Sequence, residues 1–111
     1  MQQITAPQLS AWLDDPLRAK PLLLDVREPW EFDVCRIPGA QAMAMRSVPA
    51  RYLELQREHG KDREIVVICH HGARSYQVAM FLEQQGYSNL YNLYGGVAAW
   101  AQQVDPAMPT Y

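Results

Sequence analysis

Residues 66–80 read "VVICHHGARSYQVAM", which brings a thiol, two imidazoles, a glycine, a guanidinium and a hydroxyl together between Cys69 and Ser75. A thiol becomes a nucleophile when its thiolate is stabilised, and helix N-termini and neighbouring cations do this. Cys69 closes an apolar run, and a helical pattern follows it directly. If His70, His71, Gly72, Ala73, Arg74 and Ser75 curl around the sulfur, Gly72 permits the tight turn and Arg74 supplies a fixed positive charge. The first N–H groups of the helix then stand free, and such a cradle binds an anion. The anion is either the thiolate or an anionic group carried on the sulfur. The competing reading is a buried structural thiol, because cysteine is among the most buried residue types. Strand end, glycine, arginine and helix start coincide here, and that coincidence favours the reactive thiol.

His70 and His71 offer proton transfer or added positive charge. They read equally as solvent-facing loop residues that tune partner preference. A metal site is disfavoured, because adjacent residues point in different directions and zinc ligands are normally spaced more widely. No metal or cofactor is therefore expected. His59, in the polar end of a helix, reads as a solvated residue.

The surrounding chain alternates apolar runs with amphipathic stretches. "TAPQLSAWLDD" reads as a first helix with Thr5 as N-cap, and "PLLLDV" as a buried strand. "EPWEFDVCRIPGA" gives a short helical turn after Pro29 and a loop stopped by Pro38 and Gly39. "VPARYLELQREHG" is a helix with Val48, Tyr52 and Leu55 on one side, ending near Gly60. "EIVVIC" is a second strand, and "GARSYQVAMFLEQQGY" a helix with Val78, Phe81 and Leu82 on its apolar face and Gly86 at its end. "NLYNLYGG" is a third strand, turned sharply by Gly95 and Gly96, and "VAAWAQQV" a last helix. This rhythm predicts an α/β fold with a central parallel sheet flanked by helices on both faces. In such sheets ligands sit beyond the carboxyl ends of strands, where Cys69 falls. Asp25, Arg27 and Glu31 follow the strand "LLLDV" and read as an ion-pair cluster supporting the turn. Trp30 and Trp100 read as lid or core fillers.

The chain of 111 residues, 49 % hydrophobic and 20 % charged, suits one globular domain, placed at residues 1–104 with 105–111 as an extended surface tail. A net charge of -2 gives no basic face for nucleic acid, and the apolar runs are too short to cross a bilayer. Two cysteines do not make a disulfide framework, and no basic-then-apolar leader opens the chain. A reducing cytoplasm is the expected setting.

Three blocks resemble the rhodanese-like sulfurtransferases. "CHHGARS" is similar to their active-site loop, "LLLDVREPWEFDVCRIPGA" to their Asp-Val-Arg and Ile-Pro-Gly-Ala block, and "YNLYGGVAAW" to their Gly-Gly and Trp block. The blocks stand in family order from about Ile4 to Trp100. The resemblance implies that Cys69 takes the outer sulfur of a donor such as thiosulfate, becomes a persulfide, and passes the sulfur to cyanide, a thiol or a protein. Dual-specificity phosphatases have a similar fold but five residues between Cys and Arg. Here four residues, His70 to Ala73, separate Cys69 from Arg74, which suits a small sulfur substituent better than a phosphate. A protein-fed sulfur relay and a non-catalytic binding module are the other classes the resemblance leaves open.

Two departures stand out. Cys35 and Arg36 occupy the place of the family's usual Gly-His, and Met45-Arg46-Ser47 stand where an asparagine is usual. Near Cys69, Cys35 would resolve a persulfide; on a different loop it is an unrelated thiol.

Overall fold

The computed structural model describes residues 1–111. In chain order it contains β1 (Gln2–Ile4), α1 (Ala6–Asp14), β2 (Leu22–Asp25), α2 (Pro29–Val34), β3 (Gln41–Ala42) and a 3₁₀ turn (Met45–Ser47). These are followed by α3 (Val48–His59), β4 (Ile65–Ile68), α4 (Ala73–Gln84), β5 (Leu90–Leu93) and α5 (Gly96–Gln103). The five strands form one sheet in the order β1-β5-β4-β2-β3, with every pair parallel.

Alternate residues of the central strands feed two cores. Leu23, Val66, Ile68 and Leu93 pack with Leu9 and Trp12 of α1 and Val97 and Trp100 of α5. Leu22, Leu24, Ile65 and Val67 pack with Val48 and Leu55 of α3 and Val78 and Leu82 of α4. Helices on both faces explain why β2 and β4 are buried throughout, with apolar runs at Leu22–Leu24 and Ile65–Ile68 rather than alternation. No helix is long and apolar enough to cross a membrane.

Local signals explain the element ends. Thr5 caps α1 through a capping box with Gln8, and Gly86 follows α4 in a left-handed conformation. The expected first helix, the helix after Val48, the helix after Gly72 and the last helix all form. Five strands are present where three were expected. β1 has three residues, of which only Ile4 is buried, and β3 has two residues. Such short edge strands carry no period that a sequence pattern can show.

Other expectations are corrected. Phe81 is only partly buried beside Val78 and Leu82. His59 is half-buried, with its Nε2 shielded, without a hydrogen bond and 3.5 Å from Glu58 Oε2. The tail is not simply laid on the surface: Met108 is buried in the α1–α5 core, and Met108 N–H donates to Asp105 O.

Candidate active site

β4 ends at Ile68, so Cys69 is the first residue past the strand and already belongs to the loop. The loop doubles back at Gly72, whose φ of +104° lies in the left-handed region. That reversal brings Gly72 N–H to 3.0 Å from Cys69 Sγ. The first turn of α4 brings Ser75 Oγ to 3.2 Å from the same sulfur. Cys69 is 1 % exposed and Ser75 is fully buried. Two donors thus converge on one sulfur at a helix N-terminus, which favours a negative sulfur.

The loop is held from three sides. From α5, Val97 N–H donates to Cys69 O at 2.9 Å and Ala98 N–H to His70 O at 3.1 Å. From β5, Asn92 Nδ2 donates to Gly72 O at 3.1 Å. From α2, Glu31 receives both Nη atoms of Arg74, at 2.7 and 2.9 Å. The fork-to-carboxylate pairing fixes Arg74 in direction as well as place. Arg74 therefore ties the loop to α2.

Asp25, Arg27 and Glu31 do support the turn, but not as one triad of charges. Arg27 is buried and pairs with Asp25, with Nη2 2.7 Å from Oδ2. It also donates to the carbonyls of Glu31 at 3.2 Å and Cys35 at 2.6 Å. The Glu31 side chain turns instead to Arg74. Burial opposes the charge on Arg27, yet its hydrogen bonds to Asp25 and Tyr111 outweigh this and raise its pKa.

Tyr111 joins this network from the tail, a contact that nothing in the sequence pattern indicated. Its hydroxyl accepts from Arg27 Nη1 at 3.0 Å and donates to Glu31 Oε2 at 2.7 Å. Its ring stacks on His70 at 4.1 Å between centroids and meets Trp30 edge-on. Burial and the Glu31 carboxylate push the tyrosine up to about 12. His70 and His71 are stacked on each other, and both line a cleft shared with Cys35 and Tyr111. Burial and the neighbouring His71 lower the pKa of His70, which disfavours its charged form.

Cys35 and Cys69 are both free thiols. Cys35 belongs to the core on the α1–α5 face, and Cys69 to the core on the α3–α4 face. The two thiols therefore pack in different cores and are not joined in a disulfide. The Cys35 sulfur lies instead 3.8 Å from Arg27 Nη1. No three His, Cys, Asp or Glu side chains are grouped as metal ligands.

The Arg74 fork pulls the Glu31 carboxyl from 4.5 down to about 2, against the opposing effect of burial and with help from Tyr111. A depressed carboxyl stabilises the fold above its unfolded value and loses that contribution as pH falls toward the folded value. Between about pH 4.5 and 2 the protein should lose roughly 2–3 kcal/mol through Glu31. Urea unfolding at several acid pH values checks this. In Glu31→Gln that part of the slope should vanish, and an unchanged slope would show that Glu31 is not depressed.

A family model, the rhodanese-like domain, matches residues 5–103. The Arabidopsis thaliana rhodanese-like/PpiC domain-containing protein 12, chloroplastic, is 32 % identical over 112 residues. That alignment takes in 100 % of this chain, which spans 38 % of the relative's length. The thiosulfate sulfurtransferase GlpE of Actinobacillus succinogenes is 36 % identical over 90 residues, covering 81 % of this chain and 78 % of that protein. The crystal structure of a rhodanese-like domain protein from Staphylococcus aureus superposes with a TM-score of 0.75 at 31 % identity, over 90 % of this chain and 91 % of that one. With its parallel sheet, its loop after β4 and a family match from Thr5 to Gln103, the chain belongs to the rhodanese-like domain family.

Proposed function

We propose that this chain is a sulfurtransferase that carries sulfane sulfur on Cys69. The observation that supports this most directly is the convergence of Gly72 N–H and Ser75 O–H on Cys69 Sγ at the start of α4. The Cys69 thiolate attacks the outer sulfur of an anionic donor such as thiosulfate. A Cys69 S–S bond forms, the donor's S–S bond breaks, and sulfite leaves with the electron pair. The negative charge now rests on the terminal sulfur, where the N–H groups of the loop and the Arg74 charge stabilise it. An acceptor then attacks that terminal sulfur, and Cys69 departs as a thiolate. Cyanide serves as acceptor in an assay; a thiol or a protein thiol serves otherwise. His70 and His71 border the path to the sulfur and tune which partners reach it. Residues 1–104 form the working domain, and 105–111 a tail folded against it. Free cysteines suit a reducing compartment such as the cytoplasm.

Because the sulfur is held covalently between two half-reactions, initial rates should follow ping-pong kinetics. Thiocyanate release at varied thiosulfate and cyanide should give parallel double-reciprocal lines. Cys69→Ser should lower the rate by at least about a thousandfold. Intersecting lines, or a Cys69→Ser variant that retains the rate, would contradict the carrier.

A protein donor or acceptor is the second reading. Tyr76 and Tyr94 are exposed and flank the loop beside His71 and Gly72, and such aromatic side chains are common at protein interfaces. Slow turnover with thiosulfate beside rapid exchange with a persulfidated protein would favour it.

A further inference from the structure

Asn92 is a polar side chain in the buried strand β5, with 2 % of its surface exposed. Its Nδ2 donates to Gly72 O at 3.1 Å and to Gln3 Oε1 at 3.0 Å, while its Oδ1 lies 2.5 Å from Ser75 Oγ. The Gly72 carbonyl can only accept, so the amide must turn its NH₂ group that way. Oδ1 is thereby left facing Ser75. A serine hydroxyl has one proton to give. Two acceptors compete for it, Asn92 Oδ1 and Cys69 Sγ.

The two protonation states of Cys69 settle that competition differently. As a thiol, Cys69 donates S–H to Ser75 Oγ, and Ser75 donates O–H to Asn92 Oδ1, so every group is satisfied. As a thiolate, Cys69 draws the hydroxyl proton to itself. The Ser75 and Asn92 oxygens then face each other with no hydrogen between them, in a buried site where unmet polar contacts cost most.

We propose that Asn92 is a positioning residue that decides which way the Ser75 hydroxyl points, and through it the balance between thiol and thiolate at Cys69. At Ser75 only the hydroxyl rotates; the one bond to hydrogen that breaks is Cys69 S–H, whose proton passes to the buffer when the thiol ionises. By claiming the proton, Asn92 withholds stabilisation from the bare thiolate, and a less stabilised thiolate is intrinsically the stronger nucleophile. Once sulfur is loaded, the charge leaves Sγ for the terminal atom and the Ser75 proton returns to Asn92 Oδ1. When an acceptor removes the sulfur, charge returns to Sγ and the hydroxyl swings back to meet it. This catalytic consequence rests on the sulfur-carrier reading; the proton competition itself does not.

The charged and titratable groups near Cys69 are Arg74 with its partner Glu31, the loop residues His70 and His71, Arg27 beneath Glu31, and Tyr111 over His70. All of them stay unchanged in the test. The Cβ carbon resonance of Cys69, identified by its loss in Cys69→Ser, is followed by NMR against pH. Asn92→Ala frees the hydroxyl for sulfur, and the thiol midpoint should fall by about half to one pH unit. Asn92→Asp keeps the accepting oxygen and adds negative charge, and the midpoint should rise. In a Ser75→Ala background, Asn92→Ala should leave the midpoint where Ser75→Ala alone puts it.

Shifts of the same sign in both Asn92 variants would overturn the inference, since a loosened loop acts alike in either. So would an Asn92→Ala shift that survives the loss of Ser75. Should Asn92→Ala fail to fold, Asn92→Asp decides alone, and a midpoint at or below the parent's overturns it. The titration reads the unloaded thiol and needs no donor, so a chain inactive with every donor still gives the answer.

Discussion

Gly96→Ala is expected to destabilise the protein by about 4 kcal/mol, a large share of the roughly 5–15 kcal/mol that holds a domain of this size. A Cβ at Gly96 would lie 2.3 Å from Cys69 O and 2.4 Å from His70 O, both backbone atoms that cannot swing away. Its φ of +59° adds a left-handed conformation that costs a side chain roughly 1–2 kcal/mol. Making room means lifting α5 off the loop, which breaks the bonds from Val97 N–H and Ala98 N–H to those same carbonyls. Each carbonyl left unpaired in a buried place costs about 1–3 kcal/mol more. Gly60→Ala is the control: its φ is +78° but nothing lies within 4 Å, so it should cost only the backbone term. Urea unfolding separates the two. Equal midpoints for the two variants would show that the contact between α5 and the loop has slack.

Arg27→Met should cost about 3–5 kcal/mol, the usual penalty for breaking a buried ion pair from one side. Arg27 and Asp25 have side chains 0 % and 1 % exposed, so water cannot replace either partner. Without the guanidinium, the Asp25 carboxylate keeps only the Arg27 backbone N–H at 3.1 Å. The Cys35 carbonyl loses its donor at the same time, and the Glu31 carbonyl is left with only the Cys35 N–H at 3.3 Å. Adding Asp25→Leu to Arg27→Met should recover part of the loss, because removing both charges removes the unpaired one. A single variant within about 1 kcal/mol of the parent, by urea unfolding, would contradict this reading of the pair. The damage should extend to the loop, because Arg27 also holds Tyr111, which steadies Glu31 and through it Arg74.

How much of this was legible follows from how local each feature is. The loop that carries Cys69 was readable because its parts are consecutive: strand end, Cys69, Gly72 and helix start lie within a few residues. β2 and β4 were readable because burial on both faces gives them the continuous apolar runs Leu22–Leu24 and Ile65–Ile68. β1 and β3 were not, since three residues and two residues gain strand character from their neighbours β5 and β2 rather than from a pattern of their own.

Arg74 was readable as a charge near the thiol, but its pairing with Glu31 joins positions 43 residues apart, and one sequence does not show such pairings. The return of Tyr111 to Arg27 spans 84 residues, and a tail with two prolines reads as extended. Asn92 left a trace, since an asparagine inside "NLYNLY" is a polar residue in a strand destined for burial. A polar residue there needs buried partners, and that need points to the loop it serves.

The charge on His70 is a case where residue type alone left the answer open. Two imidazoles beside a thiol suggest positive charge, yet stacking against each other and against Tyr111 buries His70 enough to favour its neutral form.

The central claim is that sulfur rests covalently on Cys69. Intact mass after brief treatment with thiosulfate, run on the parent and on Cys69→Ser, tests it most directly. A carrier gains the mass of one sulfur atom, loses it on adding cyanide, and shows neither change in Cys69→Ser. A parent that takes up no sulfur from thiosulfate or from a persulfidated protein, or a Cys69→Ser variant that takes it up equally, would contradict the claim.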